Sequence, residues 1–98
     1  MDQSTESIEY SSGYKRSDGV PAFDLLEPEF LKEMAEVMAE GERKFGAYNW
    51  QKATPEEQRF TVRHLFGHLI SWLMGDRSEK HLAKIAVNAM FIWWHSKK

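Results

Sequence analysis

Apolar residues recur at helical spacing in three stretches of the chain. The first stretch contains Phe30, Leu31, Met34, Val37 and Met38. Intervals of three and four residues place such side chains on one face of an α-helix. Pro28 suits the first turn, where its missing N–H loses no partner, and Gly46 is a natural end. The pattern predicts a helix over residues 28–45.

The second stretch has the clearest start. Thr54 and Glu57 form a T-x-x-E pattern, in which each side chain caps the backbone N–H of the other residue. Pro55 fills the first helical position, and Gly75 ends the stretch. Its apolar face consists of Val62, Leu65, Phe66, Leu69, Ile70 and Leu73. The pattern predicts a helix over residues 55–74.

A third helix is predicted over residues 79–95, after a short turn that reads DRSE. Its expected core face consists of Leu82, Ile85, Ala89, Ile92 and Trp93. Short connections between consecutive helices favour antiparallel packing. The sequence shows no internal repeat and no strand pattern. We therefore expect an all-α fold, a small antiparallel bundle of three main helices with an extended N-terminal arm.

The first twenty residues differ in composition from the rest. They are rich in serine, glycine and charge and have few aliphatic side chains, so alone they bury too little surface to offset their chain entropy. Two interpretations remain open: a flexible tail, or an arm that becomes ordered on a partner subunit or a ligand. The expected organisation is an arm over residues 1–20 and a single helical domain over residues 21–98.

Length and charge narrow the class of protein. A chain of 98 residues forms one small domain, and its net charge of -2 argues against a nucleic-acid-binding role. The absence of cysteine excludes disulfides and thiolate chemistry. No apolar run reaches the roughly 18 residues of a membrane span, and the polar start does not read as a signal peptide. We expect a cytoplasmic protein without a membrane partner.

The end of the third helix suggests self-association. The segment MFIWW, residues 90–94, is apolar nearly all round, which is more than one buried face requires. We therefore expect Phe91 or Trp94 to lie in a subunit interface of a homodimer or homotetramer.

Polar residues on the second and third helices are candidates for binding chemistry. Arg63 is suited either to gripping a phosphate or to a salt bridge with a glutamate of the first helix. His64 and His68 are four residues apart and share a face, as ligands of zinc would, or are ordinary surface histidines. On the third helix, His81, Lys84 and Asn88 form one polar stripe, which faces either solvent or a cleft between helices.

The first helix and the segment after it add charge and aromatic rings. Carboxylates run along this helix at Glu33, Glu36 and Glu40, a pattern that either holds Mg²⁺ or forms a solvated face. The segment GERKFGAYNW then offers the ammonium group of Lys44, the amide of Asn49 and the rings of Phe45, Tyr48 and Trp50. These groups are suited to recognising a ligand. Alternatively, Trp50 and Phe45 cap the core of the bundle.

Taken together, these segments resemble the phage-associated dATP/dGTP diphosphohydrolase domain, a relative of the MazG-like all-α nucleotide pyrophosphohydrolases. The resemblance extends from about Lys15 to Trp93. It rests on the segment KRSDGVPAFDLLEPEF, on the G-x-x-K-F-G-x-x-N-W signature that starts at Gly41, on Arg63-His64-Leu65, and on His81-Leu82-Ala83-Lys84 followed by Asn88. The order and spacing of these motifs carry the resemblance.

Two departures from the family pattern affect the expected chemistry. The acidic loop of the family is shortened here to GDRSEK, and Lys84 replaces the second histidine of an H-L-A-H motif. The resemblance implies a nucleotide site formed by Lys44, Asn49, Trp50, Arg63, His64, His81, Lys84 and Asn88. In such a site, Lys44 would contact a phosphate, and Asn49 a base edge or a ribose hydroxyl. The ring of Trp50, Tyr48 or Phe45 would stack on the base. Tyr14 or Lys15 of the arm, from the same or a neighbouring chain, would complete it.

Two functions follow as expectations. In the first, a phage-type protein sequesters a purine nucleotide, or an immune signal of the cyclic-nucleotide or ADP-ribose type, without hydrolysis and without a cofactor. In the second, a Mg²⁺-dependent dATP/dGTP diphosphohydrolase releases pyrophosphate. The resemblance then implies the metal ligands Glu36, Glu40, Asp76 and Glu79.

Overall fold

The computed structural model describes residues 7–17 and 19–97 of the chain. It confirms an all-α fold built from three main helices: α1 over Pro28–Phe45, α2 over Gln58–Leu73 and α3 over His81–Ser96. Short 3₁₀ helices cover Phe23–Leu25 and Asn49–Lys52. No helix among the described residues is long and apolar enough to cross a membrane.

Helix α1 begins and ends where the sequence predicts. Pro28 occupies the first turn, and the Glu27 carboxylate accepts a hydrogen bond from the N–H of Glu29 at 2.9 Å. At the other end Gly46 has a φ of 90°, a conformation that residues with a β-carbon rarely adopt. Its N–H donates to the carbonyl of Glu42 at 2.9 Å. Gly46 thereby turns the chain away from the helix axis.

The reciprocal cap before α2 is formed. The N–H of Thr54 donates to the Glu57 carboxylate at 2.8 Å, and the N–H of Glu57 donates to the Thr54 hydroxyl at 3.2 Å. The first of these bonds is the main reason why the pKa of Glu57 lies below its ordinary value. Residues 55–57 form a turn, and the regular helix begins only at Gln58. The predicted helix therefore starts three residues too early.

Helix α3 is the central element of the bundle. Both α1 and α2 pack on it more extensively than they pack on one another. The 3₁₀ helix after α1 also packs on α3, because Trp50 stacks on Phe91 with ring centroids 4.6 Å apart and meets Trp94 edge-on at 5.2 Å. His95 Nε2 donates to the carbonyl of Trp50 at 2.8 Å. Phe91 and Trp94 therefore have aromatic partners within their own chain.

The fully buried core is small. Among the described residues, only Ala83, Val87 and His81 are buried. The expected core face of the third helix is wrong at three positions, because Leu82 and Trp93 are exposed by 44 % and 57 % and Ala89 is also exposed. Helix α3 instead contacts its neighbours through the side that carries Ala83 and Val87.

The apolar face assigned to α2 is also only partly covered. Leu65 and Leu69 are half-buried, whereas the other members are exposed: Val62, Phe66, Ile70 and Leu73. The apolar face of α2 therefore has two parts. Leu65 and Leu69 form an inner side that faces α3. The four exposed residues form an outer stripe, which no element among the described residues covers.

The N-terminal segment contains a hairpin that the sequence analysis did not predict. Strands β1, Ser7–Glu9, and β2, Lys15–Ser17, pair antiparallel, with Ile8 opposite Arg16. Gly13 closes the turn with a φ of 89° and donates its N–H to the carbonyl of Tyr10 at 2.8 Å. Residues 1–6 and 18 of the predicted arm lie outside the described residues.

Candidate functional site

A cavity of about 670 Å³ opens between α1 and α2 above α3. Its volume falls within the range typical of small-molecule sites. The second half of α1, the turn after it, the inner side of α2 and one side of α3 all contribute to its wall. Six of the eight residues predicted to bind nucleotide line it: Lys44, Asn49, Trp50, His64, Lys84 and Asn88. Segments distant in sequence therefore meet in one cleft.

The turn after α1 places aromatic rings at this cleft. Tyr48 adopts a left-handed conformation with a φ of 62°, unusual for a residue with a β-carbon. Tyr48 and Phe45 line the cleft and are exposed by 68 % and 66 %. Trp50, by contrast, is turned onto α3 and stacked there. The rings available to a ligand are therefore those of Tyr48 and Phe45, whereas Trp50 anchors the wall.

Lys84 is the less exposed of the two lysines that line the cleft. Its side chain is only 24 % exposed, and its ammonium lies 2.6 Å from the Glu79 carboxylate. On the opposite wall, Lys44 pairs with Glu40 at 3.0 Å. The amide nitrogen of Asn88 donates to the backbone carbonyl of Lys84, one turn earlier on α3, at 2.9 Å.

A second, smaller recess of about 230 Å³ adjoins the cleft near Lys84. It collects three of the four predicted metal ligands, Glu36, Glu40 and Glu79. Each of these carboxylates is paired with a lysine: Glu36 with Lys80, Glu40 with Lys44 and Glu79 with Lys84. The hydrogen bond from the paired lysine is the main cause that lowers the pKa of each carboxyl group.

These pairs bear on whether the recess suits Mg²⁺. Carboxylate oxygens are the protein ligands that Mg²⁺ prefers, and their negative charge is what attracts the ion. Here lysine ammonium groups already neutralise the three carboxylates of the recess. The fourth predicted ligand, Asp76, does not line the recess. Binding of Mg²⁺ in the recess would therefore require these lysines to move away from the carboxylates.

Asp76 belongs instead to a histidine network behind the cleft. Its carboxylate accepts hydrogen bonds from the hydroxyl of Ser78 at 2.7 Å and from the N–H of Ser78 at 2.9 Å. Its other oxygen lies 2.9 Å from Nε2 of His81, and Nδ1 of His81 lies 2.8 Å from Nδ1 of His68. The two bonds from Ser78 are the main cause that holds the pKa of Asp76 well below its usual range, and His81 adds to them.

The sequence analysis missed this network. It paired His68 with His64, four residues away on the same helix, whereas the residue that contacts His68 lies on α3. His81 is 3 % exposed and stands behind the cleft rather than in its wall. Burial is the main cause that lowers the pKa of His68, with the nearby charge of Lys84 second. The sequence contained one signal for this network: Asp76 lies five residues before His81, close enough for its carboxylate to contact the imidazole.

Other predicted site residues lie elsewhere. Arg63 is exposed and does not line the cleft; its guanidinium sits 5.6 Å from the ring centre of Phe60. Tyr14 and Lys15 belong to the hairpin, where Tyr14 contacts the ring of Tyr10 and Lys15 approaches Glu9 at 3.8 Å. Neither lines the cleft of its own chain.

Comparison with known proteins identifies the family. Residues 10–98 match the model of the family described as dATP/dGTP diphosphohydrolase, N-terminal. The chain is also similar to a protein of Salmonella phage PMBT28 named dATP/dGTP diphosphohydrolase, with 32 % identity over 88 residues. That match covers 85 % of this chain but only 29 % of the phage protein, so the chain spans less than a third of its relative's length. No solved structure matches. The chain therefore belongs to the family of dATP/dGTP diphosphohydrolase N-terminal domains.

Proposed function

We propose that this domain binds a purine nucleotide, or a signal molecule derived from one, in the cleft and holds it without hydrolysis. The observation that carries the proposal is the position of Lys84. It lines both the large cleft and the adjoining recess, and its ammonium neutralises Glu79. A cation supplied by the chain therefore stands among the carboxylates that a metal-dependent hydrolase would use to hold Mg²⁺.

The cleft offers separate partners for the parts of a nucleotide. Lys84 and Lys44 provide ammonium groups for phosphate oxygens, in hydrogen bonds that charge strengthens. The exposed rings of Tyr48 and Phe45 provide flat surfaces for a base. Asn49 carries both a donor and an acceptor, as recognition of a base edge or a sugar hydroxyl requires. In this arrangement the phosphates contact the side of the cleft next to the recess.

Hydrolysis of dATP or dGTP is the second candidate function. The name of the phage relative favours it, because that protein is called a dATP/dGTP diphosphohydrolase. For this chain to catalyse the reaction with Mg²⁺, Lys80, Lys44 and Lys84 would have to leave the three carboxylates of the recess. The two functions therefore differ in the effect of Mg²⁺ on nucleotide affinity: a hydrolase needs the ion, whereas the binding function does not.

Titration calorimetry with a panel of ligands tests the proposal. The panel contains dGTP, dATP, GTP, a cyclic purine dinucleotide and ADP-ribose, each measured with Mg²⁺ and with EDTA. We expect at least one purine ligand to bind with an affinity that changes less than threefold between the two conditions. A protein that binds none of them, or binds only when Mg²⁺ is present, would contradict the proposal.

We further propose that the protein is a homodimer whose subunits meet through the outer stripe of α2. This stripe consists of Val62, Phe66, Ile70 and Leu73, which are exposed by 36 %, 57 %, 53 % and 64 %. A continuous exposed apolar stripe of this kind is typical of a surface that binds another protein chain.

A charge within the stripe tests the dimer. We expect light scattering at micromolar concentration to give twice the mass of the chain for the unmodified protein and the mass of one chain for Phe66→Glu. Phe23→Glu is the matched control, because Phe23 is exposed by 73 % and lies outside α2. A monomeric unmodified protein, or a Phe66→Glu variant that remains dimeric, would contradict this assembly.

A further inference from the structure

We propose that His68, Glu79 and His81 form a binding site for a transition-metal ion of the zinc type, next to the nucleotide cleft. One ligand atom from each residue lies within 4.8 Å of the other two. The three residues come from α2, from the turn between α2 and α3, and from the first position of α3. The fold therefore brings together two imidazoles and one carboxylate that are separate in sequence.

The contacts of Asp76 provide a second, independent observation. A histidine that binds a metal through one ring nitrogen usually donates its other ring N–H to a carboxylate, which fixes the orientation and tautomer of the ring. Asp76 lies 2.9 Å from Nε2 of His81 and is itself held by two hydrogen bonds from Ser78. An acceptor at Nε2 places the proton of the neutral ring there, so Nδ1 of His81 presents a lone pair towards His68.

The short contact between the two histidines follows from that lone pair. In the absence of a metal, Nδ1–H of His68 donates across the 2.8 Å gap to Nδ1 of His81. A metal ion takes the place of this hydrogen: His81 keeps its tautomer, and His68 moves its proton from Nδ1 to Nε2. No proton is gained or lost in the exchange. The hydrogen bond thus prepares both rings for a shared ion.

The ligand set indicates which ion binds. Two imidazole nitrogens and one carboxylate oxygen suit Zn²⁺ and related first-row transition metals, whereas Mg²⁺ favours oxygen ligands. Three protein ligands leave a position of the tetrahedral ion for a further ligand. Because His68 lines the cleft, that ligand can come from a molecule bound there. The site uses no carboxylate of α1 and does not rest on the proposed function.

Lys84 is a competitor of the metal within the protein. Its ammonium lies 2.6 Å from Glu79, so it occupies the carboxylate that the ion needs and adds a like charge nearby. Replacing Lys84 with glutamine removes both effects. We therefore expect the Lys84→Gln variant to bind the ion about twofold to fivefold more tightly than the unmodified protein does.

Calorimetry with Zn²⁺ and absorption spectroscopy with Co²⁺, both on the full chain, test the site. We expect one ion per chain and the intense visible absorption of tetrahedral Co²⁺. Affinity should fall at least tenfold in His68→Gln, and by about tenfold to a hundredfold in Asp76→Asn. His95→Gln is the control, because it removes an imidazole in the last turn of α3, at the opposite end of the helix from His81. It should bind the ion as the unmodified protein does.

These measurements distinguish a specific metal site from non-specific binding of the ion by surface histidines. Circular dichroism confirms that each variant is folded, and His68 is suited to substitution because it is only half-buried. Weak binding that is equal in the unmodified protein, His68→Gln and Lys84→Gln would overturn the proposal, as would octahedral Co²⁺ absorption. Loss in His68→Gln together with gain in Lys84→Gln would support it.

Discussion

Substitutions of Lys84 and of Glu79, which form an ion pair, should change the affinity for nucleotide in opposite directions. If Lys84 contacts a phosphate of the bound nucleotide, Glu79 competes with that phosphate for the ammonium, because the two side chains are 2.6 Å apart without a ligand. Lys84→Gln should therefore weaken nucleotide binding, and Glu79→Gln should strengthen it. A hydrolase that holds Mg²⁺ through Glu79 makes the opposite prediction for Glu79→Gln, which would lose the metal and its turnover.

The magnitudes follow from the exposure of the two groups. A hydrogen bond to a charged group contributes about 1.5–3 kcal/mol, so Lys84→Gln should raise the dissociation constant about tenfold to a hundredfold. The Glu79 side chain is 47 % exposed, and water screens such a pair strongly. The gain in Glu79→Gln should therefore be smaller, about twofold to fivefold. Lowered repulsion between Glu79 and the phosphates acts in the same direction.

Calorimetry in EDTA, with the tightest-binding purine nucleotide, measures both effects. Lys80→Gln is the matched control, because Lys80 forms the same kind of pair with Glu36 but lines only the smaller recess. It should change the affinity less than twofold. The reasoning is refuted if Lys84→Gln binds within twofold of the unmodified protein, or if Glu79→Gln binds more weakly than it.

Three further predictions concern stability. Trp50→Ala should lower the free energy of unfolding by about 2–4 kcal/mol in urea denaturation, since it removes the stack on Phe91; a loss below 1 kcal/mol would count against the packing. Thr54→Ala should cost about 1 kcal/mol by the same assay, and Thr54→Ser should restore most of it. Folding lowers the pKa of His68 from 6.5, so the unfolded chain binds more protons below that pH. Thermal stability should therefore decline as pH falls from 6.5 through the folded-state pKa, and His68→Gln should flatten that decline.

Local signals made the helices predictable. The Thr54–Glu57 cap and the left-handed Gly46 depend on residues close in sequence, and both are present in the structure. Several residues of the cleft could also be identified from the sequence, because they are polar positions on otherwise apolar helices or belong to the aromatic turn after α1. Lys44, Lys84 and Asn88 are examples, and all three line the same cavity.

Contacts between elements were not predictable in the same way. Helical periodicity shows that α2 is apolar over a wide arc, but not which part of the arc faces α3, so Phe66 and Ile70 were assigned to the core although they are exposed. The contact between His68 and His81 depends on how α2 and α3 align, which no local pattern encodes. The hairpin has too few apolar residues to show alternation, and its turn at Gly13 stabilises it instead.

Phosphorus NMR of dGTP with a molar excess of protein and with Mg²⁺ tests the central claim most directly. One spectrum reports both binding, through shifts of the phosphate resonances, and cleavage, through the appearance of dGMP and pyrophosphate. The account predicts shifted resonances that remain those of an intact triphosphate over several hours, with the same shifts after EDTA is added. Pyrophosphate that accumulates only with Mg²⁺, and not in a Glu40→Gln variant, would contradict it and identify the protein as a hydrolase.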